Sequence, residues 1–171
     1  MKLLTLQAAA MAMAFTGAAA TTPRAAHAQD LGLLIGTTAP NVTVTTLDGK
    51  STDLSAYLGK TPTLIEFWAT WCPNCKELEP TLKAMTARYG GRVQFVRIAV
   101  NVNESAGHVK AFVDKYDIPG HHYYDTSGDA TTAYDVPATS YVVLIDRAGK
   151  VVYTGLGGTQ DLDTPLARVL R

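Results

Sequence analysis

Apolar and polar positions change their period along the chain, and each change marks an element. Asn41 to Thr46 alternates in β-branched residues and predicts a short strand, followed by the hairpin-turn dipeptide Asp48-Gly49. Leu54 to Gly59 predicts a short helical or turn segment. Thr63 to Ala69 is a continuous apolar run broken by one acid, Glu66, as expected for a strand covered on both faces. From Pro73 to Tyr89 the period becomes helical, with Leu78, Leu82 and Met85 recurring, until Gly90-Gly91 stops it. Val93 to Val100 predicts a second buried strand. Ser105 to Tyr116 predicts a helix that Ser105 caps, with Val109, Phe112, Val113 and Tyr116 on one face. Tyr141 to Ile145 predicts a third strand, which Asp146-Arg147-Ala148-Gly149 turns into Val151 to Thr154, and Asp161 to Leu170 a closing helix. Strands alternating with helices imply a layered α/β domain with a partly parallel sheet, to which the late pair adds an antiparallel hairpin. The pattern holds no internal repeat, low-complexity linker or second domain.

The chain's first stretch has a different character. Met1-Lys2 is a minimal positive region, Leu3 to Ala20 is apolar and uncharged, and Ala26-His27-Ala28 is a small-x-small pattern before Gln29. This is the pattern of a secretory signal peptide over residues 1–28, cut after Ala28, with Ala18-Ala19-Ala20 offering an alternative cut after Ala20. The competing reading is an uncleaved anchor, for which 18 residues containing Gln7 are marginal against a hydrocarbon core of roughly 30 Å. Residues 29–40 read as a flexible lead-in, and 41–171 as the folded domain. No later apolar run is long enough to span a membrane, so no stable membrane insertion of the mature domain is expected.

Composition narrows the functions. The 171 residues are 47% hydrophobic, and 15 Lys plus Arg balance 15 Asp plus Glu. Such a chain has material for one real core. It lacks the cationic excess that a nucleic-acid surface needs. Two cysteines are too few for a disulfide scaffold.

Both cysteines fall in Trp71-Cys72-Pro73-Asn74-Cys75, after a predicted buried strand and at the start of a predicted helix. The first N–H groups of a helix are unpaired, and its dipole places partial positive charge there. A thiolate at Cys72 is therefore favoured. Two intervening residues let Cys75 reach Cys72 within one turn and resolve a mixed disulfide. Pro73 suits the first helical position, where no N–H is needed. Three readings of the pair compete. The strand–CxxC–helix context favours a redox-active dithiol. A purely structural disulfide would gain little from closing so short a loop. A metal site would have to recruit from His27, His108, His121 and His122 without a second CxxC. Adjacent His121-His122 lacks the spacing of a chelating pair.

The segment from Ile65 to Lys76, Ile-Glu-Phe-Trp-Ala-Thr-Trp-Cys-Pro-Asn-Cys-Lys, resembles the active-site segment of the thioredoxin superfamily. The leader and Thr46-Leu47-Asp48-Gly49-Lys50 are similar to the TlpA/ResA-like thiol–disulfide oxidoreductases of bacterial envelopes. The likeness runs through Pro80, Tyr134-Asp135-Val136 and Leu144-Ile145-Asp146 to Gly149-Lys150, covering nearly all of residues 29–171. It implies a thioredoxin-like fold, with a central mixed β-sheet flanked by helices. It also implies an exported, periplasmic or envelope enzyme that exchanges disulfides with protein substrates, without a cofactor. Net reduction, for instance in cytochrome c maturation, and a separate upstream redox partner that resets the pair follow from the same likeness. Trp71 would lie on the substrate-facing rim together with Pro73, and Trp68 would pack beneath the site.

Glu66 matches the superfamily's buried acid and would manage the proton of Cys75; the alternative is an acid at the sheet edge that reaches water or pairs with a lysine such as Lys60. Many TlpA-like reductases carry an acid three residues after the second cysteine, where this chain has Leu78 between Glu77 and Glu79. A second departure concerns the superfamily's cis-proline before the third strand. Counting back from Leu144-Ile145-Asp146, that place is Ser140; the alternative is that Pro137, three residues earlier, takes the role through a loop shift. Thr139-Ser140 are expected to take the substrate-facing place, joined by a trans bond, since a non-proline cis bond costs about 2.5–4 kcal/mol. A different activity class stays open on that departure: an envelope copper chaperone of the same fold, using both cysteines and a histidine. Other motifs fail on inspection. Gly49-Lys50-Ser51 lacks the first glycine of a phosphate loop, and Gly155-Leu156-Gly157-Gly158 follows a late hairpin instead of opening a dinucleotide unit. Ala69 stands where a peroxiredoxin would carry threonine.

Overall fold

The apolar runs fold into one seven-stranded sheet in the computed structural model, which describes residues 32–171. The strands are β1 (Thr43–Thr46), β2 (Ser51–Asp53), β3 (Thr63–Trp68), β4 (Gln94–Ala99), β5 (His121–Tyr124), β6 (Tyr141–Ile145) and β7 (Val151–Leu156). Their spatial order is β2-β1-β5-β4-β3-β6-β7. The α-helices among the described residues are α1 (Pro73–Tyr89), α2 (Ala106–Tyr116), α3 (Asp129–Ala133) and α4 (Asp163–Val169). A single 3-10 turn, Leu54–Ala56, follows β2. Strands β3, β4 and β5 run parallel, and the remaining neighbours pair antiparallel, so the sheet is mixed as expected.

The central strands explain the two-sided pattern. Every residue of β3 and of β6 is buried. Side chains alternate between faces along a strand. Ile65 and Phe67 join one core with Val96, Ile98, Val143 and Tyr134. Leu64 joins the other with Phe95, Val142, Leu144, Leu78 and Leu82 of α1, and Leu166 of α4. The β3–β4 register sets Leu64 beside Phe95 and Glu66 beside Arg97. The one acid of β3 therefore lies next to the one base of β4.

Some elements differ from expectation. β5 falls on His121-His122-Tyr123-Tyr124, held between β1 and β4. α3 was not foreseen. Its first turn hangs on Asp125, which accepts from the N–H groups of Ala130 (3.1 Å) and Thr131 (2.8 Å) and from the Thr131 hydroxyl (2.6 Å). Part of the lead-in, residues 36–39, is tied to the sheet. Gly36 N–H donates to the Val151 carbonyl (2.7 Å), Val151 N–H to that of Thr37 (2.9 Å) and Ala39 N–H to that of Gly149 (2.9 Å). This segment lies along the outer edge of β7, and Ala39 is buried. The signal-peptide expectation falls on residues outside those described.

Candidate active site

The chain leaves β3 at Trp68 and enters α1 at Pro73, and the short turn between carries the chemistry. Cys72 is the N-cap residue, with extended backbone (φ −74°, ψ 117°), and its Sγ accepts the Cys75 N–H at 3.1 Å. The two cysteines are bridged, with Cα atoms 5.3 Å apart, and both are almost fully buried. The first turn of α1 holds no acidic side chain. On reduction, a thiolate at Cys72 meets the unpaired N–H groups and positive end of a 17-residue helix without an opposing charge in that turn. Pro73 is exposed at the first helical position. Trp71 is 44% exposed, and its indole N–H donates to the Val102 carbonyl at 2.9 Å. Trp68 is buried beneath, as expected, with the Arg97 guanidinium 5.3 Å from its ring centre.

Ser140 occupies the place before β6 and is fully buried, with left-handed backbone (φ +66°). No peptide among the described residues is cis. The Ser140 N–H donates to the Phe67 carbonyl (2.8 Å), a bond that proline could not make. Its hydroxyl donates to the Gly157 carbonyl (3.0 Å), and its own carbonyl accepts from Gly157 N–H (3.1 Å) and Gln160 Nε2 (3.0 Å). All the polar groups of Ser140 are thus spent inside the protein. Half-buried Thr139 makes no hydrogen bond among the described residues, so it has groups to offer a client. Pro137 lies exposed, three residues earlier.

Glu66 is completely buried in a central strand, not at an edge, and its partner is Arg97 instead of Lys60. Arg97 Nε and Nη2 both reach Glu66 Oε2, at 2.8 and 2.7 Å, and the same Nη2 reaches Glu79 Oε2 on α1 at 2.6 Å. Two carboxylates share one guanidinium. Burial pushes the Glu66 carboxyl above the usual range, against the pull of Arg97 and with help from Glu79. Sequence reasoning gave no role to Arg97 and named Glu79 only as a neighbour of Leu78. Arg97 was visible as the single charge in an apolar run. Glu79 stands four residues, one helical turn, after Cys75, and both line a cavity of about 390 Å³ with Trp68 and Phe112.

The loop after β4 grips the cysteine turn from the other side. Glu104 Oε2 accepts from the Thr70 N–H (2.9 Å) and hydroxyl (2.6 Å). Its Oε1 accepts from Ser105 N–H (3.2 Å) and stands 2.9 Å from His108 Nδ1. Burial raises this carboxyl, but the donors together outweigh it and hold it below the usual range. No local sequence signal marks Glu104. His121 and His122 bond elsewhere: His121 Nε2 meets Gln94 Oε1 (3.1 Å) and His122 Nε2 the Ile118 carbonyl (2.8 Å). Among the described residues, no three His, Cys, Asp or Glu side chains form a group able to hold a metal.

A Cys-x-x-Cys pair at the head of a helix, fed by the central strand of a mixed sheet, defines a redox domain of the thioredoxin class. The Redoxin family matches residues 34–169, and the chain belongs to that family. It is 34% identical over 118 residues to the thiol-disulfide oxidoreductase ResA of Bacillus thuringiensis subsp. konkukian (strain 97-27), covering 69% of this chain and 67% of the relative. It is 31% identical over 138 residues to the ResA of Geobacillus kaustophilus (strain HTA426), covering 79% and 78%. Among solved structures it resembles a DsbE-like thiol:disulfide interchange protein from Chlorobium tepidum, with 25% identity and a TM-score of 0.73 over 81% of this chain and 99% of the other. The chain is a TlpA/ResA-like protein of the thioredoxin superfamily.

Proposed function

We propose that the chain is a thiol–disulfide oxidoreductase that reduces protein disulfides in the cell envelope. The observation that carries this reading is the Cys72–Cys75 bridge at the N-terminus of α1, in a chain related to ResA. The Cys72 thiolate attacks a client disulfide and displaces one client thiolate. Cys75 then loses its proton and attacks Cys72 Sγ, which releases the second client sulfur and closes the bridge. Glu66 sets the charge balance beneath Cys75, and Trp71, Pro73 and Thr139 form the rim that meets the client. An upstream thiol protein returns the pair to the dithiol state. The ResA relatives are thiol-disulfide oxidoreductases by name, which supports the reaction; a task in the upkeep of envelope thiols, such as cytochrome c maturation, is proposed on the sequence resemblance. Export rests on the leader pattern of residues 1–28. No described helix is long and apolar enough to cross a membrane.

The decisive measurement is the equilibrium potential of the pair against a glutathione or thioredoxin couple, together with reduction of insulin disulfides. A value near about −270 mV with insulin turnover is expected of a reductant, and one near about −120 mV would make the protein an oxidant. Failure of the pair to cycle with any thiol couple removes the proposal altogether. Amino-terminal sequencing of the protein recovered from an expressing bacterial envelope tests the cut after Ala28.

A further inference from the structure

We propose that Glu79, and not Glu66, is the group that exchanges protons with Cys75 and with water. This rests on the dithiol reading above and names the acid–base residue of its second step. Glu66 has no route to solvent. It is fully buried, does not line the cavity beside Cys75, and makes both its contacts to Arg97, whose guanidinium keeps its protons at any physiological pH. Glu79 is placed differently on both counts. Its side chain is 20% exposed, and it lines the same cavity as Cys75. Residues four apart on a helix have Cβ atoms about 6 Å from each other. Like Glu66, it is pinned by Arg97 through Oε2 alone and keeps a buried Oε1 without a partner to take a proton, so the two differ in exposure and cavity access and not in free oxygens.

The charges around this group favour a visiting proton. Glu66 from β3 and Glu79 from α1 face one Arg97 from β4, so the ionised cluster carries one uncompensated negative charge in a largely dry setting. His122 of β5 stands beside Arg97 in the ladder and is held neutral by burial. Lys76 and Lys83 of α1 and Tyr116 of α2 complete the charged and titratable lining of the cavity, with Lys83 Nζ donating to the Tyr116 carbonyl at 2.8 Å. Taking one proton removes the excess charge, and the exposed end of the cluster is where that proton enters and leaves.

The step balances as follows. In the mixed disulfide, the Cys75 thiol gives its proton to the Glu79 carboxylate. The Cys75 thiolate forms the Cys72–Cys75 bond while the bond from Cys72 to the client sulfur breaks. Two electrons have then passed from the dithiol to the client, whose departing thiolate takes a proton from water. Glu79 returns its own proton to the water of the cavity.

Rapid mixing of the reduced protein with the aromatic disulfide DTNB separates the two events, because each releases one coloured thiolate. The first release reports attack by Cys72 and the second reports resolution by Cys75. Glu79→Gln is expected to leave the first within about twofold and slow the second by about 100-fold, the ordinary worth of a lost general base, with its pH dependence flattened between pH 5 and 9. Glu66→Gln is expected to slow the second release less and keep its pH dependence. Glu79→Asp keeps a carboxylate at shorter reach and serves if the glutamine variant does not fold; it should slow only the second release. A second release at the wild-type rate in the Glu79 variants overturns the proposal, as does a Glu66→Gln loss equal to that of Glu79→Gln. Absence of the first release in the wild-type protein would instead fail the dithiol reading itself.

Discussion

Two buried carboxylates flank the cysteine turn; burial raises both, yet their net shifts run in opposite directions. Glu66 has both guanidinium contacts on one oxygen, none on the other, and a second carboxylate across the shared cation; its proton is held more tightly than usual. Glu104 has donors on both oxygens, two of them from Thr70, and gives up its proton more readily than usual. Depth alone does not decide the state of a carboxyl; the count of donors against competing charge does. The difference suits their places. Glu104 grips backbone next to the nucleophile and is best as a constant anion. Glu66 belongs to a cluster whose charge has to change during turnover.

The largest effect should come from removing the cation that holds the first site together. Arg97→Leu leaves two carboxylates without compensation and is expected to cost about 3–5 kcal/mol in urea unfolding. A Glu66→Leu/Arg97→Leu pair should recover much of that loss, and equal instability of single and double variants would show the contrast with Glu104 to be misplaced. Next comes His122, beside Arg97, whose burial lowers its pKa from 6.5 to about 4. The unfolded chain takes up a proton below pH 6.5 that the folded imidazole refuses down to about pH 4. Stability should therefore fall across that window by roughly 3 kcal/mol, and His122→Asn should flatten the curve. Glu104→Ala should cost about 2 kcal/mol by orphaning the Thr70 donors, and Trp71 fluorescence should shift with it.

The sharpest test of the contrast is the sign of its pH dependence. Glu104, lowered on folding, contributes stability above its unfolded value of 4.5 and loses it as pH falls through the lowered one. Glu66, raised on folding, contributes below 4.5 and loses that contribution as pH rises through the raised value. Unfolding of Glu104→Gln and Glu66→Gln, each against wild type at pH 3.5 and 7, should give differences that change in opposite directions with pH. Changes in the same direction would dissolve the distinction.

Much of the frame was legible because it is locally determined. Pro73 and Gly90 bracket α1, and the apolar runs of β3, β4 and β6, interrupted by a single charge in β3 (Glu66) and in β4 (Arg97), each had one reading. β5 was not legible, since a pair of histidines and a pair of tyrosines make a strand only when β1 and β4 bond to both sides. α3 depends on Asp125, several residues ahead of it, and not on a residue in the usual capping place. At the site, the cysteines, Trp71 and Glu66 were visible in a single segment. The roles of Arg97, Glu79 and Glu104 were not, because they come from the parallel β3–β4 register and from the loop folding back on Thr70.

The strip of chain at residues 36–39 has a consequence for solution behaviour. A sheet's outermost strands offer unpaired N–H and C=O groups to any passing strand and so invite stacking of one molecule on another. On the far side β2 has only three residues, all polar. On the near side the start of β7 is already engaged, at Gly149 and Val151, by the strip's own backbone. A version beginning at residue 41 would bare that border together with the partly exposed Val152 and Leu156, and light scattering should show it clumping at concentrations the longer chain tolerates. The protein thus carries its own selvedge, which keeps the fabric from joining its neighbours.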